Sequence, residues 1–215
     1  MEPQFIPSRV EFRELTQRGN VVPVYTDWVA DSETPVSAFN KLDRGGYSFL
    51  FESTEKNDVS GRFSFVGTDP RIVVRSRDDE IEIMEDGETR KFRSLSDPLS
   101  ELRRLMAKYK FVHRPELPRF VGGAVGFLGY DAARFFEPTV PMAEHDDLSL
   151  PEMLFVIAGA VVVFDHRLRT VRVLNNAFLN AGDDPDKVYD RAQQGICEIL
   201  AFKFLDALAI QFYCK

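Results

Sequence analysis

The sequence has little of what most catalytic and metal-binding signatures need. Its 215 residues include 2 Cys, 3 His and 1 Trp. The two cysteines, Cys197 and Cys214, lie near the end and form no C-x-x-C pair. That excludes a zinc ribbon and a disulfide framework, and two reduced thiols are the expected state. His113, His145 and His166 stand far apart with no i,i+4 pair, so no metal site is expected. There is no G-x-S-x-G, and neither cysteine has a histidine near it in sequence, so no hydrolase-type nucleophile is expected. Basic residues are outnumbered, 27 Lys and Arg against 34 Asp and Glu, for a net charge of −7. An acidic chain without a long basic block is not a general binder of nucleic acid or of anionic membranes. The longest apolar run, Met153 to Phe164, falls short of the roughly 20 residues a membrane helix requires. Met1 to Ser8 has no apolar core of a secretory signal, and a cytoplasmic location is expected.

What is present is ordinary globular material, 44% hydrophobic and 28% charged, with 19 Phe pointing to a sheet-rich aromatic core. The length suits one large domain or two small ones. Ser8 and Glu11 fit an S-x-x-E capping box ahead of Val10, Phe12 and Leu15. Thr34-Pro35 reads as a second helix start, with Val36, Phe39 and Leu42 at helical spacing and Gly45-Gly46 as its stop. Asp97-Pro98 and Asp184-Pro185 open two more helices. Strands are expected at Val21 to Tyr25, Tyr47 to Glu52, Arg62 to Gly67, Arg71 to Arg77, Glu80 to Met84 and Thr89 to Phe92, with Asp86-Gly87 as a hairpin turn. The glycine-laced Phe120 to Tyr130 follows. Met153 to Phe164 and Thr170 to Leu174 read as one hairpin across His166 to Arg169. Strands come in runs with helices between the runs, which predicts an α+β fold of mostly antiparallel sheets with flanking helices.

Two stretches invite a chemical reading. Gly122, Gly123 and Gly126 suggest a phosphate loop, but no Lys-Ser/Thr follows and the flanks read as strand. Glycines in a strand mark a bulge or the close approach of another backbone. Glu52-Ser53 ends one strand and Arg62 begins the next. A carboxylate could hold the ammonium of a zwitterion while a hydroxyl and a guanidinium take its carboxylate. A strand-edge ion pair with a capping serine is the simpler reading of the same residues.

Several blocks, in order, resemble the N-terminal part of the anthranilate synthase component I family. They are Val22-Pro23-Val24-Tyr25, Thr34-Pro35-Val36-Ser37-Ala38-Phe39, Tyr47-Ser48-Phe49-Leu50-Phe51-Glu52-Ser53 and Gly61-Arg62-Phe63-Ser64-Phe65-Val66-Gly67. Phe120 to Phe127 with Gly129-Tyr130-Asp131, and Leu150-Pro151-Glu152-Met153, complete the set. Aminodeoxychorismate synthase component I of the folate branch shares most of them. The resemblance covers residues 1–200 and implies a regulatory region that binds the feedback inhibitor L-tryptophan. By similarity Glu52 would meet the ligand's ammonium, Ser53 its polar end, and Arg62 would line or support the pocket.

The resemblance also implies what is missing. The family reaction converts chorismate and ammonia or glutamine to anthranilate and pyruvate, with Mg²⁺ and a glutamine amidotransferase subunit (component II) as partner. Its chemistry belongs to a following chorismate-binding domain, so no catalytic residue and no cofactor are assigned here. Residues 201–215 match nothing in the family. They are expected to be an apolar tail produced by a frameshift or premature stop near residue 200; a naturally short, stand-alone tryptophan-binding module is the alternative.

Overall fold

Polar residues at the helix starts take up the backbone donors that a first turn leaves unpaired. Ser8 precedes α1 (Arg9–Leu15), and its hydroxyl accepts from the Glu11 amide at 3.3 Å. The reciprocal half of the expected capping box is not formed. The Glu11 carboxylate accepts instead from Arg114 at 2.8 Å, a charged donor that makes the stronger bond. Phe12 and Leu15 are buried as expected, whereas Val10 faces solvent. At α2 (Pro35–Leu42) both halves of a box form between Thr34 and Ser37. Asp97 caps α3 (Pro98–Met106), accepting from the Ser100 amide at 2.9 Å. The last helix is α4 (Pro185–Lys203).

The computed structural model describes residues 3–28, 33–53, 61–94, 97–137, 139–141, 146 and 148–203. The strands are β1 (Val21–Trp28), β2 (Phe49–Phe51), β3 (Phe63–Thr68), β4 (Ile72–Arg77), β5 (Glu80–Glu85), β6 (Glu88–Arg93), β7 (Ala124–Leu128), β8 (Met153–Ile157), β9 (Ala160–Asp165) and β10 (Thr170–Phe178). A 3₁₀ turn follows β7 at Tyr130–Phe135. The chain divides into two units: Met1–Asp69 with Lys110–Gly122 and Gly159–Lys215, and Pro70–Tyr109 with Gly123–Ala158.

The first unit holds a five-stranded sheet in the order β1-β10-β9-β3-β2, every pair antiparallel. α4 lies on β10 and β1 and touches α1 and α2. Its buried residues Val188, Ala192, Ile196 and Ile199 recur at helical spacing and join Phe12, Val24, Val66 and Val173 in one core. The Phe12 and Tyr189 rings meet at 5.0 Å, and the Tyr189 hydroxyl donates to the Pro7 carbonyl at 2.6 Å.

The second unit holds a sheet in the order β6-β5-β4-β8-β7, again antiparallel throughout. Ile72, Val74, Ile81, Met153 and Ile157 are fully enclosed, and α3 buries Leu102 and Leu105. The two antiparallel sheets with flanking helices are the α+β arrangement read from the sequence.

Three expectations are corrected. Met153 to Phe164 is not one hairpin arm but two strands in different sheets: β8 ends at Ile157 and β9 begins at Ala160. The stretch is apolar throughout, so its hydrophobic pattern carries no mark of the break. β2 is shorter than the Tyr47 to Glu52 expected of it. Cys197 is disulfide-bonded rather than a free thiol, and its partner lies outside the described residues. The expected tail, 201–215, falls almost wholly outside the described residues as well.

Candidate functional site

The chemistry-bearing blocks around residues 49 and 63 become the edge of the first unit's sheet. β2 pairs with β3 so that Phe49 faces Gly67, Leu50 faces Val66 and Phe51 faces Phe65. Alternation then sorts the side chains. Val66 is buried in the core and Leu50 packs against it. Phe49 and Phe51 stand on the opposite face, their centroids 5.1 Å apart, and on β3 the Phe63 and Phe65 rings lie 6.1 Å apart. Phe120 joins from the 110–122 segment. Its ring meets Phe65 at 5.1 Å, Phe51 at 5.9 Å and Phe49 at 6.1 Å, each edge-on. Edge-on pairs of this kind add about 0.5–1.5 kcal/mol beyond the area they bury. Gly67 makes the arrangement possible: a Cβ there would lie 2.0 Å from a carbon of the Phe49 ring. Phe51 remains 47% exposed, so the aromatic face is open on one side.

Polar groups flank this face. Glu52 and Ser53 follow β2 directly and are exposed. Arg62 immediately precedes β3, so the antiparallel pairing sets all three at one end of the β2–β3 pair. The Arg62 guanidinium is already engaged. It donates through Nη2 to Asp165 at 2.7 Å and through Nε at 3.1 and 3.2 Å, and stacks over Phe63 at 4.7 Å. Asp165 also accepts from the Arg167 and Leu168 amides. Burial pushes the Asp165 carboxyl up. The Arg62 hydrogen bonds and those two amides outweigh that and hold it below the usual carboxylate value.

Beside this ion pair lies a cavity of about 430 Å³ lined by Glu33, Phe164, Asp165, His166, Arg169 and Thr170, among others. Ser64, buried on β3, shares a hydrogen bond of 2.7 Å with His166 Nε2. Glu52 and Ser53 are not in the lining of this cavity. Glu52 and Ser53 follow the aromatic strand β2 in the chain, while Arg62 is tied to Asp165 at the end of β9. Among the described residues no group of His, Cys, Asp or Glu is arranged to hold a metal ion. No helix among them is long and apolar enough to cross a membrane.

Sequence reasoning did not find Phe120, Asp165 or His166 as members of this neighbourhood. Phe49, Phe51, Phe63 and Phe65 carry a signal, since aromatics two apart in strands share a face. Phe120 carries none, because only tertiary folding brings it there.

The Phe120 to Tyr130 stretch is not a phosphate cradle. Gly126 lies opposite Phe155, and a Cβ on it would come 1.9 Å from the Leu154 carbonyl oxygen. This is the close backbone approach expected of glycines within a strand.

No protein-family model matches the chain. Whole-protein comparisons do. Anthranilate synthase component 1 of Synechocystis is 36% identical over 197 residues, covering 90% of this chain and 38% of the relative. That of Aquifex aeolicus is 35% identical over 184 residues, covering 85% and 36%. That of Pseudomonas aeruginosa is 35% identical over 196 residues, covering 90% and 39%. The crystal structure of anthranilate synthase component I from Streptococcus pneumoniae superposes with a TM-score of 0.51 at 23% identity, over 85% of this chain and 37% of that one. At that identity the likeness concerns the fold. The chain spans well under half the length of the curated relatives it matches.

Proposed function

We propose, on the premise that this chain belongs to the anthranilate synthase component I family over the stretch it spans, that it is the N-terminal effector-binding portion of such an enzyme and binds L-tryptophan. The observation that carries the reading is the open aromatic face of Phe49, Phe51, Phe65 and Phe120, with Glu52 and Ser53 at its end. An indole ring needs apolar, edge-presenting neighbours, and an ammonium needs a carboxylate. Glu52 supplies that carboxylate and Ser53 a hydroxyl for the polar end of the ligand. Arg62 supports the site from behind by anchoring the start of β3 to Asp165.

The whole family activity, amination of chorismate and release of pyruvate to give anthranilate, is proposed only for the assembled enzyme with its chorismate-binding domain, Mg²⁺ and the glutaminase component II. Its place in tryptophan biosynthesis in the cytoplasm is part of the same proposal.

Titration calorimetry tests the site. L-Tryptophan is expected to bind the wild type, and Glu52→Ala to weaken it at least tenfold. Indole-3-propionate, which keeps the ring and carboxylate but lacks the ammonium, should bind no better to the wild type than to the variant. A folded wild-type chain that takes up no tryptophan would overturn the reading.

A further inference from the structure

The cavity of about 430 Å³ beside the Arg62–Asp165 pair is not lined by Glu52 or Ser53. Its volume falls in the roughly 300–1,000 Å³ range of small-molecule sites. Its apolar walls, Phe164 and Val171, are a cross-strand pair of β9 and β10. Both belong to the helix-side core with Val66, not to the face that carries Phe49, Phe51 and Phe65. The rest of the lining is polar: Glu33, Asp165, His166, Arg169 and Thr170.

The two carboxylates are already engaged. Glu33 accepts from Lys41 and, at 2.7 Å, from the Ser37 hydroxyl. Asp165 accepts from Arg62 and from two backbone amides. Each acid therefore brings its own cation, and neither is left to meet a ligand. The donors stand differently. Among the described residues the Arg169 guanidinium makes no hydrogen bond or ion pair, and the Thr170 hydroxyl has no partner. His166 meets Ser64 through Nε2 at 2.7 Å, and its Nδ1 is free. With the Ser64 hydroxyl donating to Nε2, the ring proton sits on Nδ1, which is then a further donor. What the cavity offers a ligand is positive charge and hydrogen-bond donors above an apolar wall.

The backbone at Arg169 points the same way. Arg169 closes the β9–β10 turn with a φ of +54°. Glycine and asparagine adopt this left-handed conformation more readily than a long side chain does. Turn geometry alone does not call for an arginine here; holding a guanidinium at a cavity does.

We propose that this cavity is a small-molecule site in its own right and takes an organic carboxylate with a compact apolar body. The carboxylate pairs with Arg169, whose planar fork can meet both oxygens at once. Thr170 and His166 donate to the same group, and the apolar body rests on Phe164 and Val171. The inference does not depend on the tryptophan reading.

Titration calorimetry of the full chain with 3-phenylpropionate tests it, with inorganic phosphate as the control for charge alone. The wild type is expected to bind the acid, Arg169→Asn to weaken it at least tenfold, and Glu52→Ala to leave it unchanged. Asparagine suits the left-handed backbone, so Arg169→Asn should melt at or above the wild-type temperature, which separates binding from folding. A folded wild type that takes up no 3-phenylpropionate, or an Arg169→Asn variant that binds it as tightly, overturns the proposal. So does phosphate binding as tightly as the acid, which would reduce the cavity to a patch of charge. Loss of binding on Glu52→Ala but not on Arg169→Asn would place the acid in the effector site and overturn it too. L-Tryptophan titrations on the same samples read that effector site separately.

Discussion

The two units solve the same problem unequally. Both are five-stranded antiparallel sheets. In the first, α1, α2 and α4 supply Phe12, Ala38 and Ile196 to one core that also takes in residues of β1, β3, β9 and β10. In the second, among the described residues, one short α-helix contributes Leu102 and Leu105, and much of the large apolar surface left exposed, from Phe127 to Leu150, belongs to this unit. Two carboxylates, buried Asp165 of the first unit and half-buried Glu152 of the second, differ too. Asp165 is held by Arg62 and two amides, and its pKa is lowered. Glu152 contacts Arg134 but keeps one oxygen buried without a hydrogen bond, and burial outweighs the arginine so that its pKa is raised. The first unit's core draws on three helices, and more of the exposed large apolar side chains lie in the second.

The largest test of that contrast is Phe12→Ala. A fully enclosed phenylalanine truncated to alanine costs about 3–5 kcal/mol. Hydrogen exchange should accelerate in β10 and α4 while β4 and β5 keep their protection. Equal acceleration in both units would show a single cooperative fold and break the comparison. Gly126→Ala comes next, at about 1–3 kcal/mol, since the new methyl must displace the Leu154 backbone. Protection should fall at β7 and β8 and not in the first unit.

The smallest effects are in pH. A lowered folded pKa means that Asp165 contributes stability above its unfolded value, near 3.8, which is lost as pH falls through the lower folded value. Asp165→Asn should flatten that acid limb. Glu152 acts in the opposite sense. With its folded pKa raised, its contribution is fully present below about 4.5 and is lost as pH rises through the folded value. Glu152→Gln should remove that loss, with the gain confined to second-unit probes in denaturant titrations at pH 4 to 7.

Much of the local structure was legible. Ser8, Thr34 and Asp97 mark helix starts because a short polar side chain beside a first turn has one obvious use, and Asp86-Gly87 joins β5 to β6 as expected. Val10 and Val36 lie near helical spacing with buried neighbours yet are exposed, because a hydrophobic residue at roughly that spacing can still fall at the rim of the buried stripe. The aromatic face was half legible: the alternating phenylalanines of β2 and β3 were there to be seen, and Phe120 was not. Asp165 as the partner of Arg62 was not, since the two are joined only by the pairing of β3 with β9.

The sequence by itself determined most of the helices and strands, where most of them begin, and an order of blocks that resembles component I of anthranilate synthase. These are decided by periodicity and caps within a few neighbouring residues. Only the tertiary structure decided that Met153 to Phe164 is shared between two sheets, that Phe120 completes an aromatic face, and that the Asp165 carboxyl is held below its usual value while that of Glu152 is pushed above it. Each of those depends on strand pairing across long stretches of chain, and pairing sets the burial and charge that a side chain meets.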